Sequence, residues 1–278
     1  MTGQHGRLKA SLIISVYKNT RFLKAVLDSL LYQTENNFEV IISEDGDSEE
    51  MKDFISSYLF QHPFTHLQRK DEGWQKNKAL NEAIRVAKSD WLVFIDGDCV
   101  LHPRFMEFHI NEAKPNNILA GKRIKLDPVT SELLLNGELS PRNINRFLKK
   151  NIRTIKKRGA EFVEEGFFID PKGLFGFLVR KRSMRNLKGC NMSFHKEAIY
   201  AINGFDEDYS RPAVGEDADL LWRFKGLGYE IKSLRNLAVQ YHLHHKESWT
   251  DQEENLAIME SNKADNKFIC ENGLRKTI

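Results

Sequence analysis

The sequence predicts an α/β protein: a mostly parallel central sheet flanked by helices, with a basic, partly helical segment inserted into it. Three features point there. Short apolar runs alternate with amphipathic stretches through the N-terminal half, three of these runs end in polar and largely acidic residues, and a lysine- and arginine-rich tract then interrupts the alternation. Apolar strands separated by helices imply parallel pairing, because each crossover helix lies back on the sheet and both faces become buried.

The elements follow in order. "ASLIISVY" (10–17) reads as a buried strand and "RFLKAVLDSLLYQT" (21–34) as a helix. "FEVIISED" (38–45) repeats the strand signal and "SEEMKDFISSYLF" (48–60) the helical one. A weaker strand around "FTHLQRK" precedes the helical period of "QKNKALNEAIRVAK" (75–88) and the apolar run of "DWLVFID". "PRFMEFHINEAK" (103–114) opens on a proline suited to a first helical turn, and "NNILAGKRIKL" reads as one strand. One or two helices are expected in the basic tract, with a glycine- and phenylalanine-rich loop at "EEGFFIDPKGLFGF". "VGEDADLLWRFKGLGYE" predicts a helix with Glu216 and Asp217 in its first turn, an apolar face of Leu220, Leu221, Phe224 and Leu227, and a stop at Gly228. From about Asp251 the chain is polar and weakly helical, a peripheral tail.

Composition narrows the class. The chain has 278 residues, 41% hydrophobic and 29% charged, enough for a sizeable core. No apolar run approaches the ~18–20 residues of a membrane span. The opening "MTGQHGRLKASLIISVY" lacks the apolar stretch and cleavage site of a secretory signal. Cys99, Cys190 and Cys270 are widely spaced and odd in number, which argues against a disulfide framework or a paired-cysteine zinc site and for a reducing, cytoplasmic setting. The net charge of +3 conceals a strongly basic stretch over 141–188, a face suited to an anionic partner or simply a solvated helix surface.

Ligands of open parallel sheets bind at the carboxyl ends of the strands. Here those ends carry Tyr17-Lys18-Asn19, Ser43-Glu44-Asp45-Gly46-Asp47 and Asp96-Gly97-Asp98. Carboxylates at the end of an apolar strand are costly to bury unless their charge is offset. Asp96 and Asp98 offer hard oxygen ligands for a divalent ion carrying phosphate, and Gly97 permits close backbone approach; an acidic turn accounts for the same residues without an ion. In "YHLHH" (241–245), His242 and His244 share a face if the strand continues, and His242 could add an imidazole to the metal site. Glu216 and Asp217 are either capping carboxylates or, kept ionised by the helix N-terminus, a source of a base. Tyr17 offers a ring to a nucleobase, and Glu44 or Asp45 an acceptor for a base N–H.

Taken in this order, "SVYKN", "VIISEDGDS", "ALNEAIRVAKSDWLVFIDGDC", "GCNMSFHKEAIYAINGFDEDY", "GEDADLLWR" and "YHLHH" resemble the inverting family-2 glycosyltransferases of GT-A fold, with its Rossmann-like sheet. The second half resembles the galactosyltransferase-type region also found in bacterial chondroitin-type polymerases. The similarity covers roughly residues 10–125 and 186–246. It implies a nucleotide-sugar-binding half over 1–125, a basic insertion over 126–188 that faces acceptor or membrane, an acceptor-binding and catalytic half over 189–250, and a tail over 251–278.

Carried over residue by residue, the resemblance implies Asp217 as catalytic base, with Glu216 and Asn191 beside the acceptor. It implies donor contacts from Ser15, Tyr17, Glu44, Asp45, Lys78, Asp96 and Gly97, and an Mn²⁺ or Mg²⁺ ion on Asp96, Asp98 and His242. The expected reaction moves a hexose or N-acetylhexosamine from a nucleotide sugar, UDP-linked by preference, to a glycan or lipid-linked glycan of bacterial surface polysaccharide or lipooligosaccharide. Peripheral contact with an anionic membrane is expected and nucleic acid is not. "SRPAVGED", with Pro212, Ala213 and Val214, departs from the Trp-Gly-rich loop of the related galactosyltransferases, so acceptor identity does not carry over. A sugar-nucleotide nucleotidyltransferase is the alternative, but it should show a glycine-rich phosphate loop after the first strand, and "SVYKNTRF" has none.

Overall fold

Strand β1 (Ala10–Val16) is apolar on both faces and becomes the spine of the sheet for that reason. Leu12, Ile14 and Val16 enter one core layer and Ile13 the other. The computed structural model describes residues 7–212, 214–246 and 250–276; the reading of residues 1–6 and Ala213 of the acceptor loop lie outside the described residues.

Helix α1 (Thr20–Leu30) starts where the Asn19 side chain accepts the Phe22 N–H at 2.9 Å, and buries Leu23, Val26, Leu27 and Leu30 against the sheet. Then come β2 (Phe38–Glu44), α2 (Glu49–Ser57), β3 (Phe64–Leu67), α3 (Lys76–Val86) and β4 (Trp91–Asp96). β3, β2, β1 and β4 lie side by side and parallel, as the alternation predicts. Ser15 stands opposite both Ser43 and Asp96, so the polar ends of three strands lie level on one edge.

Beyond β4 the sheet becomes mixed. After β5 (Cys99–Leu101), α4 (Phe105–Asn111) and β6 (Asn117–Ala120), the expected single strand over "NNILAGKRIKL" breaks, and β7 (Arg123–Lys125) joins a different sheet. The break has a steric cause. Gly121 donates its N–H to the Asn191 carbonyl at 2.9 Å, and a Cβ at Gly121 would fall 2.4 Å from the Asn191 amide.

The insertion over 126–188 supplies α5 (Pro128–Leu135) and then, within its basic stretch, α6 (Ile144–Lys157) and α7 (Gly176–Arg180). Ile144, Leu148 and Ile155 of α6 enter a third core with Val100, Tyr241 and Leu243, leaving its lysines and arginines outward. β8 (Met192–His195) returns antiparallel between β4 and β6, and α8 (Lys196–Ala201) follows. α9 (Asp219–Gly226) is preceded by a wide π-type turn over Val214–Ala218, and Gly228 at φ +81° ends it, with the Tyr229 N–H reaching the Phe224 carbonyl at 3.0 Å. β9 (Glu230–Ser233) pairs parallel with β6, and β10 (Gln240–His242) sits between β5 and β7 in the small sheet.

A buried ion pair anchors the start of α9. Arg223 and Asp219 are both 0% exposed; the guanidinium donates to Asp219 at 2.7 Å and to the Ile202 and Gly204 carbonyls at 2.8 Å each, so its charge is paired.

The C-terminal stretch, expected to be peripheral, is instead fastened to the core. After α10 (Glu253–Ala264), Cys270 and Leu274 are buried, and the Asn203 amide donates to the Cys270 and Arg275 carbonyls at 2.7 and 2.8 Å. Isolated apolar residues in a polar run give no periodic signal, so this docking is invisible to pattern.

Candidate active site

The level strand ends open into a cleft of about 560 Å³ lined by Ser15, Tyr17, Asp45, Asp96, Gly97 and Asp98, as well as by Phe22, Trp74, Lys76 and His245. Gly97 sets its floor. Its N–H reaches the Ser15 carbonyl at 2.7 Å, and a Cβ there would press on that carbonyl and on Val16 at 3.1 Å.

From Gly97 the chain passes into β5, and the antiparallel pairing of β5 with β10 sets His242 opposite Cys99. The Asp98 Oδ2 then lies 3.2 Å from His242 Nε2 and 3.1 Å from His245 Nε2, and the two nitrogens are 3.3 Å apart. Neighbouring ligands in a tetrahedral or octahedral shell of radius about 2.1 Å are separated by about 3.0–3.4 Å, so the triangle matches a divalent ion's spacing. Three groups that are acceptors in their neutral-imidazole form converge here, and such a set calls for protons or a cation at its centre. His245 Nδ1 lies 3.2 Å from the Lys246 carbonyl, a contact that calls for a proton on Nδ1 and leaves Nε2 as the nitrogen that could bind a cation in place of its own proton. Burial alone would raise the Asp98 carboxyl, but His242, His245 and Arg123 carry it well below the usual carboxylate range.

Asp96, expected to share the ion, is not in this group. Its Oδ1 accepts Lys76 Nζ at 2.9 Å and its Oδ2 faces Arg123 at 3.5 Å, so two protein cations already neutralise it. Lys76 also donates to Glu216 at 2.7 Å. Burial disfavours the ammonium, yet the Asp96 and Glu216 carboxylates outweigh burial and hold its pKa well above the usual lysine range.

The expected basic residue was Lys78. Two residues along a helix rotate a side chain by about 200°, which turns Lys78 away from the face Lys76 presents. Neither Lys78 nor Glu44 lines the cleft. Glu44 is 1% exposed and fastens its own turn, accepting the Ser48 N–H at 3.1 Å and facing His66 at 2.8 Å. Asp45 does reach the cleft; it accepts the Gln75 N–H at 2.8 Å, and burial raises its carboxyl. Tyr17 is half exposed, with its hydroxyl on Asp71 at 3.1 Å.

The helix-start carboxylates divide. Glu216 is committed to Lys76, while Asp217 lines a second cleft, where it accepts the Gly189 N–H on Oδ1 and faces Lys188 at 3.8 Å. Burial, reinforced by the Glu216 charge, pushes the Asp217 carboxyl up to about 7. Asn191, expected beside an acceptor, is fully buried with its amide spent: it donates to the Lys122 and Ala238 carbonyls at 3.1 and 3.0 Å and meets His109 at 3.1 Å. Its contacts make it a brace between the two sheets.

Trp74, Lys76 and His245 escaped the sequence reading. The "YHLHH" cluster was the available signal for His245, but strand pairing ends at His242. The Leu243 N–H turns to the Asp98 carbonyl at 2.9 Å, so His245 rather than His244 comes round to Asp98, while His244 is exposed.

Comparison with known proteins bears on the family and the fold. Residues 11–170 match the family described as "Glycosyl transferase family 2", and residues 177–246 match "N-terminal domain of galactosyltransferase". The chondroitin synthase of Pasteurella multocida (strain Pm70) is 24% identical over 265 residues, 89% of this chain and 26% of that protein. The chondroitin synthase of Escherichia coli is 24% identical over 240 residues, 84% of this chain and 34% of that protein. The chain thus spans about a quarter to a third of the length of these curated relatives. Among solved structures, residues 1–349 of S. aureus TarS in complex with UDP-GlcNAc superpose with a TM-score of 0.58 at 15% identity, covering 92% of this chain and 66% of that one. The mannosyltransferase PcManGT of Pyrobaculum calidifontis, in complex with GDP-Man and Mn²⁺, gives 0.55 at 15% identity, covering 87% and 59%. The strand-end cleft, the acidic turn after β4 and the family match over more than half the chain lead to one conclusion: the chain belongs to glycosyltransferase family 2, with the GT-A fold.

Proposed function

We propose that the protein transfers a hexose or N-acetylhexosamine from a nucleotide sugar, UDP-linked by preference, to a glycan or lipid-linked glycan acceptor, inverting the anomeric configuration in one displacement. One observation carries this reading. Glu216 and Asp217 share a helix start, yet Glu216 is joined through Lys76 to Asp96 of the strand-end cleft, while Asp217 faces a second cleft. Such a juncture suits a donor on one side and an acceptor on the other.

On this reading Tyr17 and Trp74 flank the nucleobase, Asp45 accepts from it, and Ser15 and Gly97 border the ribose and diphosphate. TarS residues 1–349 bound to UDP-GlcNAc, and PcManGT bound to GDP-Man and Mn²⁺, support a nucleotide-sugar donor. The acceptor hydroxyl attacks the anomeric carbon as the bond to the diphosphate oxygen breaks, and Asp217 takes the hydroxyl proton on Oδ2, since Oδ1 is occupied by the Gly189 N–H. Asp98, His242 and His245 would hold a divalent ion, which when bound neutralises the departing diphosphate. Two imidazoles beside one carboxylate suit Mn²⁺ better than Mg²⁺, which prefers oxygen ligands. The similarity to polysaccharide synthases makes bacterial surface polysaccharide or lipooligosaccharide the favoured setting.

The basic insertion supports contact with the inner face of an anionic membrane. Leu174, Phe175, Phe177 and Leu178 are exposed at 84%, 60%, 47% and 39%, beside Lys172, Arg180 and Lys181 and on the same segment as the basic α6. Among the described residues no helix is long and apolar enough to cross a membrane, so this contact would be peripheral.

The three parts of this reading have separate tests. Calorimetric titration with Mn²⁺ should show the His245→Ala chain binding at least tenfold more weakly than wild type; unchanged affinity would exclude His245 as a ligand. With a panel of nucleotide sugars, one donor should support transfer, with acceptor kcat/KM falling as pH drops below about 7, because Asp217 must be ionised to accept a proton. Asp217→Asn should cost about 10²–10⁴-fold in transfer while leaving donor affinity intact; a flat pH profile, or an active Asp217→Asn variant, would remove Asp217 from the role. In liposome flotation, anionic vesicles should carry the protein upward and neutral ones should not, and equal binding to both would rule out the membrane contact.

A further inference from the structure

The second cleft, of about 540 Å³, is bounded by the chain before Gly189, by α9 and by α10. Its volume falls within the ~300–1,000 Å³ typical of ligand sites. Its lining includes Asp217, Lys188, Trp222, Lys225, Met259 and Lys263. Three lysines and one carboxylate therefore line the cleft. Lys188 lies 3.8 Å from Asp217, but Lys225 and Lys263 have no carboxylate or other polar partner among the described residues. Nearby Lys267, by contrast, pairs with Glu271 at 3.4 Å.

The cleft also has a backed aromatic wall. Trp222 rests on Phe268, with ring centroids 4.9 Å apart. Phe268 can lie against α9 because position 226 is glycine; a Cβ there would sit 2.1 Å from the ring. An indole held from behind offers a flat apolar surface for the C–H face of a pyranose. Lysines on α9 and α10 add unpaired positive charge to the same cleft.

We infer that this cleft receives the acceptor and that the acceptor is an anionic glycan, with one sugar ring on Trp222 and its oxyanions on Lys225 and Lys263. The inference rests on the glycosyltransferase reading above and deepens it. A lysine recognises charge rather than the planar geometry of a particular oxyanion, so carboxylate-bearing and phosphate-bearing sugar chains share the required chemistry. Lys188 fits the same scheme: its ammonium, 3.8 Å from Asp217 Oδ2, can hold an acceptor anion close to the proton-accepting oxygen.

Direct binding tests the inference without turnover. Three probes of similar length are titrated into the full chain at low ionic strength: an oligosaccharide with alternating uronic acids, the same oligosaccharide with its carboxyls reduced to alcohols, and a phosphate-bridged polyol oligomer. At least one anionic probe should bind tenfold or more tightly than the neutral one, and the stronger arm identifies the source of charge. The Lys225→Gln/Lys263→Gln double variant, altered only at exposed side chains, should lose that preference while binding nucleotide sugar as wild type does. Equal binding of neutral and anionic probes, no binding of either anionic probe, or a preference that survives in the double variant would overturn the inference. Failure of the glycosyltransferase reading itself would look different: the wild-type chain would bind and turn over no nucleotide sugar in the donor panel.

Discussion

The candidate site depends on the ammonium of Lys76. It lies partly buried between Asp96, at the end of β4, and Glu216, in the turn into α9, and so joins the N-terminal sheet to the segment bearing Asp217. Without it, two carboxylates would face each other in a poorly solvated space. Removing the lysine would leave these partly buried carboxylates uncompensated. The same contact pairs Asp96 with a protein cation, whereas Asp98 faces the two histidines. A single lysine at the first position of α3 thus sets the two aspartates of the acidic turn in different surroundings.

Around that anchor the carboxylates separate by environment. Asp98 lies among histidines and Arg123 and is held strongly acidic, whereas Asp217 lies among buried groups beside Glu216 and is held near neutrality. The two environments suit different tasks: a permanently charged group for binding an ion, and a group poised near operating pH for receiving a proton. The buried Asp219–Arg223 pair, one turn into α9, holds the helix that carries Trp222 and Lys225 and follows the base directly.

Much of this was readable from sequence wherever a local pattern has a single structural outcome. Apolar strands alternating with helices forced parallel pairing, and parallel pairing brought the ends of β1, β2 and β4 to one edge. What escaped depends on angles and packing that no short pattern carries. Lys76 and Lys78 differ only in helical phase, and His244 and His245 only in where strand pairing ends. Glu44 reads as a ligand-facing carboxylate, whereas in the fold its oxygens meet the Ser48 N–H and the His66 ring of β3. Asn191 sits in a motif rich in polar residues, but the close approach of Gly121 commits its amide to holding two sheets together. The docking of Cys270 and Leu274 is likewise a tertiary fact, since a few apolar residues in a polar run specify no partner.

The central claim is that leaving group and proton are handled at separate places, with Asp217 acting on the acceptor in a single displacement. The most direct test is the anomeric configuration of the first product formed from a donor of known configuration, read by NMR from the anomeric proton coupling before any secondary hydrolysis. The account predicts a product of configuration opposite to the donor's. A product that retains the donor configuration would contradict it, since retention requires either two displacements or departure and attack on the same face.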